Sequence, residues 1–340
     1  MRTEDAISKQ RPLLTLAIPT YNRACFLRQL LDSLSEQLRA EARVELLISD
    51  NASTDGTMSL VEEEIRRGIP ITYLRNETNI GPDANFLQCY ERARGKYIWM
   101  VGDDDIVAQG AIERVLGYLS KDEYDLIYLD PFGIRGEDVE PKAYAATAPK
   151  ATVCSDARPL LRKMNLNSTL ISVNIVNKDH VEAAGHGSFS TLIGSYLIQV
   201  GWIYTALRAH RKSLLVEEKL VGYRLDNTGG YGACELFGTT LSRLASDWLQ
   251  EPELIRLVLN GSIQRFFPTY LSQAKRGKRQ NFQKEDAHLI LSRVFRRNIR
   301  YWIFNYPLIV LPGGLGWCWL QCVKVVNRID RACGYPSLSW

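Results

Sequence analysis

Histidine is scarce in this chain and its cysteines are scattered. Four His and seven Cys stand among 340 residues, with no CxxC pair and no Cys/His cluster at zinc spacing. Cys318 and Cys322 lie four apart, but no histidine is near them. These gaps exclude a structural zinc module. The odd cysteine count and a polar N-terminus (MRTEDAISKQRP) without an apolar signal core predict reduced thiols and a cytosolic protein. Internal repeats, low-complexity linkers and a disorder signature are also missing. Hydrophobic content of 46% with 24% charged residues is instead ordinary for a globular chain with a real core. At about 150 residues per domain, the length predicts one large domain or two unequal ones.

The first strand-like run ends in PTYNR, which holds no glycine. That argues against the G-x-G-x-x-G turn of a dinucleotide-binding fold. A P-loop is missing too, and so is the acidic pair that a phosphoacceptor regulator carries after its first strand.

What is present alternates. Apolar runs LTLAI (14–18), VELLIS (44–49), ITYL (71–74), YIWMV (97–101) and DLIYL (125–129) are separated by segments with helical spacing. Leu27, Leu30, Leu31, Leu34 and Leu38 form one stripe; Met58, Val61 and Ile65 a second; Ile112, Val115, Leu116 and Leu119 a third. Gly81-Pro82-Asp83 opens another helix running to about Ala93, with Pro82 suited to its first turn. Such alternation predicts βαβ units around a mostly parallel sheet, an α/β class. Beyond residue 133 the pattern loosens. Strands are expected at 170–176, 213–216 and 220–223, a helix at 191–207, and helices from Glu235 onward.

Ligands of such sheets bind at the carboxyl ends of the strands. Those ends carry PTYNR, DNASTDGT, RNETNIGP and GDDD, so polar and acidic groups collect on one rim. Asp103, Asp104 and Asp105 repel one another. A helix cap would need only one of them, whereas a hard divalent cation shared with a diphosphate suits adjacent carboxylates. Asp50 has two readings: an Asx turn in a turn-rich loop, or a hydrogen-bond partner for a base or ribose.

Together, PTYNR, DNASTDGT, NIGPDANF and ARGKYIWMVGDDD resemble the motifs of the family-2 inverting glycosyltransferases of GT-A fold, over about residues 13–129. VGYRLDNTGGY (221–231) is similar to a segment of abequosyltransferase-like enzymes of O-antigen assembly. The resemblance implies a mostly parallel nucleotide-binding sheet flanked by helices, and a nucleotide-diphosphate-sugar donor. Pro19, Tyr21 and Asn22 would line the base pocket and Asp50 would bind base or ribose. Asn79, Gly81 and Asn85 would shape the sugar-nucleotide cleft. Asp103 and Asp105 would be the D-x-D pair that holds Mn2+ or Mg2+, with Asp104 between them in the donor site. Arg224 could reach the diphosphate, or be a surface arginine.

One departure stands out. Relatives carry an acidic pair at the head of a helix in the acceptor half, and the corresponding stretch here, HGSFSTLIGSYLIQV (186–200), has no Asp or Glu. Asp226 and His186 are the remaining candidates for the general base, each with an ordinary loop role as the alternative.

Net charge is +4, yet residues 271–331 alone carry 12 Lys/Arg against 3 Asp/Glu. An anionic partner is expected there. The apolar stretch WIFNYPLIVLPGGLGWCWLQCV (302–323) is long enough for a membrane span, but Asn, Gln, Pro and Gly interrupt it. Aromatics with basic flanks suit an interfacial segment near 299–330, and a pair of core helices is the alternative. Nucleic-acid-binding motifs are missing, so no nucleic acid is expected.

The expected organisation is a glycosyltransferase domain over 1–234, with a nucleotide-sugar half (13–130) and an acceptor half (131–234). A helical, basic region follows over 235–340. The expected activity is transfer of a sugar to a saccharide or polyprenyl-linked acceptor in bacterial surface-polysaccharide synthesis, at the cytosolic face of the inner membrane. A non-catalytic nucleotide-sugar or glycan-binding protein on the same fold is the second reading.

Overall fold

The computed structural model describes residues 11–136, 139–140, 145–185, 187–225, 230–277 and 282–332. Its first half follows the alternation in the sequence. Strand β1 (Leu14–Thr20) leads to α1 (Ala24–Leu38), β2 (Val44–Asp50), α2 (Thr57–Arg66), β3 (Ile71–Arg75), α3 (Pro82–Arg92) and β4 (Tyr97–Met100). A two-residue strand β5 (Ile106–Val107), α4 (Ala111–Lys121) and β6 (Leu126–Leu129) follow. Every residue of β1, β2 and β4 is buried, which is why they read as mostly apolar runs rather than as alternating ones. The stripes of α1 and α4 are buried as their spacing predicts. On α2 the buried face is Thr57, Leu60, Val61 and Glu64, while Met58 and Ile65 are exposed. Gly81 supplies the positive φ (86°) at which the chain turns into α3, and Pro82 occupies the first turn of that helix.

The main sheet has eight strands in the order β3-β2-β1-β4-β9-β6-β10-β8. β8 (Ala151–Cys154), β9 (Asn174–Asn177) and β10 (Ser213–Val216) complete it. β9 runs antiparallel between β4 and β6, and β8 antiparallel on the edge, so the other six strands share one direction. A small second sheet, β5-β11-β7, joins β7 (Phe132–Ile134) and β11 (Val221–Arg224) to β5. It carries the segment after the aspartates toward Arg224.

Two expectations from the sequence are corrected. The strand expected at 170–176 is shorter and shifted. A 3-10 turn (Asn165–Thr169) and a bend at 171–173 precede β9. The Ser172 carbonyl accepts the Trp99 indole N–H (2.7 Å) and the Ser172 hydroxyl accepts the Gly102 amide (2.9 Å), so this stretch bonds to the rim instead of extending a ladder. The helix expected at 191–207 starts only at Gln199, as α7 (Gln199–Arg208), after α5 (Ala157–Met164), α6 (Lys178–Ala183) and a 3-10 turn at Phe189–Leu192. Positive φ at Gly194 (91°) and Tyr196 (58°) interrupts it.

From Glu235 the chain is helical: α8 (Leu241–Leu249), α9 (Pro252–Gly261), α10 (Phe267–Lys275), α11 (Ala287–Phe295), α12 (Tyr306–Val310) and α13 (Gly313–Ala332). Its core is continuous with that of the sheet half; Trp248 of α8 stacks on Phe189 with ring centroids 5.3 Å apart. No helix among the described residues is long and apolar enough to cross a membrane.

Candidate active site

The carboxyl ends of β1, β2 and β4, the start of α3 and the end of β11 surround one cavity of about 490 Å3. Its acidic wall is the turn after β4. Gly102 and Asp105 close a tight turn, with the Asp105 amide donating to the Gly102 carbonyl (3.0 Å). All three aspartates are buried. Asp103 accepts the Thr20 hydroxyl (2.8 Å) on one oxygen and the Arg23 guanidinium (3.1 Å) on the other. Arg23 also pairs with Asp104 at 3.1 Å. Asp105 accepts the Arg224 amide (3.0 Å) and, through a short bond, the Ser172 hydroxyl.

Burial is the largest cause raising the Asp103 carboxyl to about 6; Arg23 opposes it and Asp104 adds to it. Asp105 is pushed up to about 8, first by burial and then by the charge of Asp104. Burial and mutual repulsion therefore raise Asp103 and Asp105 even with Arg23 paired to the turn. Their hard oxygen donors fit a divalent cation. Among the described residues no group of three His, Cys, Asp or Glu forms a metal cage. One or two carboxylates plus substrate phosphates are the usual magnesium set, so an open donor set suits a cation shared with a diphosphate.

The predicted site residues divide in two. Pro19, Tyr21, Asn79, Asn85, Asp103, Asp104, Asp105 and Arg224 line the cavity. Asn22, Asp50 and Gly81 stand behind or beside its wall. Asn22 has φ +53°; its side chain accepts the Thr54 amide (2.7 Å) and its own amide donates to Ser53 (2.9 Å), which locks the first strand end to the second loop. Asp50 is fully buried and accepts the Tyr73 hydroxyl (2.6 Å) and the Ser53 amide (2.8 Å). Burial and Asp50 together hold the Tyr73 phenol protonated, well above its ordinary range. Asn85 bonds Ser49 through both side-chain atoms, at 2.6 and 3.0 Å, pinning α3 to the end of β2. Asn79 accepts from Asn51 and from the Gly81 amide, both at 2.8 Å. Much of the NIGPDANF motif is thus a buried amide network that shapes the rim.

Arg224 points along the aspartate turn. Its guanidinium lies over the Phe26 ring (4.6 Å) and donates to the Asp104 carbonyl (3.1 Å) and to Gln29 (3.1 Å). It is held beside the acidic wall rather than free on the surface. Asp226 and His186, the base candidates, lie outside the described residues. Thr20, Arg23, Asp83, Ser172, Tyr196, Gln199 and Tyr231, none of them a site residue expected from the sequence, also line the cavity. Thr20, Arg23, Asp83 and Tyr231 sit inside the motifs named above. Ser172 and Tyr196 looked like parts of a strand and a helix, so no local signal marked them.

Residues 15–174 match the family model described as Glycosyl transferase family 2. Abequosyltransferase RfbV of Salmonella typhimurium is 42% identical over 108 residues, 32% of this chain and 32% of that protein. Poly(ribitol-phosphate) beta-N-acetylglucosaminyltransferase TarS of Staphylococcus aureus is 26% identical over 140 residues, 41% of this chain and 24% of its own. The chain therefore spans a third or less of these curated relatives. Among solved structures, S. aureus TarS 1–349 in complex with UDP superposes with a TM-score of 0.60 at 14% identity, covering 86% of this chain and 90% of that one. Mannosyltransferase PcManGT of Pyrobaculum calidifontis, in complex with GDP-Man and Mn2+, gives 0.54 at 14%, covering 94% and 88%. The motifs, the rim they build and these likenesses agree: the chain has a GT-A-like α/β fold, and its residues 15–174 are similar to a glycosyl transferase family 2 domain.

Proposed function

We propose that this protein transfers a sugar, with inversion, from a nucleotide-diphosphate donor to a saccharide or polyprenyl-linked saccharide in bacterial surface-polysaccharide synthesis. The observation that carries this reading is the buried aspartate turn at the edge of an open cavity built by the carboxyl ends of the strands. Asp103 and Asp105 would hold Mn2+ or Mg2+, with Asp104 beside them; bound there, the cation would act as a Lewis acid toward the diphosphate leaving group. Arg224 adds a fixed positive charge next to that turn. Tyr21 and Pro19 offer an apolar wall to a base. In the reaction the acceptor oxygen forms the new bond to the anomeric carbon as the bond to the diphosphate breaks. The acceptor proton passes to a general base, for which Asp226 is the proposed residue. The test is nucleoside-diphosphate release by the whole chain with Mn2+ and a range of nucleotide sugars and lipid-linked acceptors. Binding of donor without release under any condition overturns the enzyme reading in favour of a nucleotide-sugar-binding protein.

Peripheral attachment to the cytosolic face of the inner membrane belongs to the same proposal. Ile299, Trp302, Ile303, Val310, Leu315 and Trp317 are all exposed in the last three helices and their connections. Arg276 lies over the Trp317 ring (5.9 Å), and Arg293, Arg296, Arg297 and Arg300 precede these residues in the chain. Exposed aromatics edged by arginine match an anionic lipid surface. In flotation with phosphatidylglycerol-containing vesicles, wild type is expected to float and the Leu315→Glu/Trp317→Glu variant to stay in the dense fraction. Equal flotation overturns the attachment.

A further inference from the structure

The cavity has a second wall, opposite in character to the aspartates. Tyr196, on the loop before α7, and Tyr231, after the small second sheet, both line it, with ring centroids 5.7 Å apart and planes tilted by 44°. Tyr231 is firmly backed. Its ring packs on Phe282 (5.7 Å) and Phe237 (6.4 Å), and its carbonyl accepts the Gln283 amide (3.0 Å). Tyr196 is 50% exposed, yet its backbone is tightly held. One Asp83 oxygen accepts both the Gly194 amide (2.8 Å) and the Tyr196 amide (2.9 Å). Tyr196 itself sits at φ +58°, a left-handed conformation costing a bulky residue on the order of 1 kcal/mol. A buried carboxylate thus maintains a strained backbone whose visible result is an exposed phenol ring facing the cavity.

We infer that the Tyr196–Tyr231 pair is the acceptor platform, on which a saccharide ring of the acceptor lies by its apolar C–H face. This rests on the proposed sugar transfer and deepens it by naming the acceptor subsite. The occupant follows from continuity: the pair shares one cavity with the aspartate turn, so a ring resting on it lies beside the site assigned to the donor. A sugar ring offers one C–H face and polar edges. A tilted aromatic pair can hold the face, and the phenol hydroxyls can meet the edges.

The test uses saturation-transfer NMR on the full chain with methyl glycosides of glucose, galactose, mannose and rhamnose, in the presence of Mn2+ and a nucleoside diphosphate. Saturation of ring C–H protons is expected for at least one glycoside in wild type. It should fall about fivefold in Tyr196→Ala and in Tyr231→Ala and persist in the two Tyr→Phe variants, as loss of a ring contact predicts. No saturation in wild type, or equal saturation in the alanine variants, overturns the platform. Thermal shift by nucleoside diphosphates with Mn2+, run on the same samples, reports the donor site and confirms folding. If no nucleoside diphosphate shifts wild type, the donor reading fails whatever the glycosides do.

Discussion

Asp105→Asn is expected to lower sugar transfer by about a hundred- to a thousandfold, the usual loss when one preorganised electrostatic partner of a developing charge is removed. Asparagine keeps the shape. Its oxygen can still accept the Arg224 amide and its NH2 can still meet Ser172, so the turn is expected to survive. What disappears is the charge available to a cation, and the affinity for Mn2+, measured by calorimetry, should fall with the rate. Unchanged turnover would overturn the role given to this residue. The same variant makes an opposite prediction for stability. The folded Asp105 carboxyl stands at about 8, against an ordinary 3.8. Between those values the folded chain keeps a proton that the unfolded chain has released, so the contribution of this residue to stability declines as pH rises through that window. Without metal, Asp105→Asn should gain on wild type between pH 5 and pH 8.5, by on the order of 1–3 kcal/mol in urea unfolding. A constant difference across that range would show that the Asp105 carboxyl is not raised in the folded chain.

Gly95→Ala is expected to cost about 3 kcal/mol or more and to leave little soluble protein. A β-carbon at Gly95 would lie 2.5 Å from the Thr15 nitrogen and 2.8 Å from both the Leu14 carbonyl carbon and the Tyr97 oxygen, all of them backbone atoms that cannot rotate away. The Gly95 amide donates to the Thr15 hydroxyl (2.8 Å), which donates in turn to buried Glu45 (2.6 Å). Glu45 also accepts from the Arg94 amide (2.9 Å) and side chain (2.6 Å). The first part of ARGKYIWMVGDDD therefore sets the register of β4 against β1, and only its last part faces the cavity. Gly117→Ala is the control: nothing lies within 4 Å of its β-carbon position in α4, and a gain of about 0.5–1 kcal/mol is expected. Destabilisation by both substitutions, measured by denaturant midpoint, would show that the packing argument at Gly95 is misplaced.

The parts legible in the sequence were those governed by local periodicity. Strands buried on both faces are largely apolar, and helices packed on them carry a stripe, so β1, β2, β4, α1 and α4 could be read directly. The aspartate turn was visible because three adjacent carboxylates have no packing advantage to explain them. The rest was hidden for physical reasons. LISVNIV satisfies strand propensity, yet Ser172 spends its hydroxyl and carbonyl on Asp105, Gly102 and Trp99, which lie about seventy positions earlier. The stretch 191–207 satisfies helical spacing, yet Asp83 pulls the Gly194 and Tyr196 amides into a loop from over a hundred positions away.

By itself, the sequence determined the α/β alternation, the polar rim and the acidic turn, because each depends on neighbours a few residues apart. Only the tertiary structure decided which rim residues face the cavity. Asn22, Asp50 and Gly81 turn to holding loops, while Arg23, Ser172, Tyr196 and Tyr231 turn inward. A side chain's hydrogen-bond partner is chosen by distance in space, and that distance exists only once the sheet has formed.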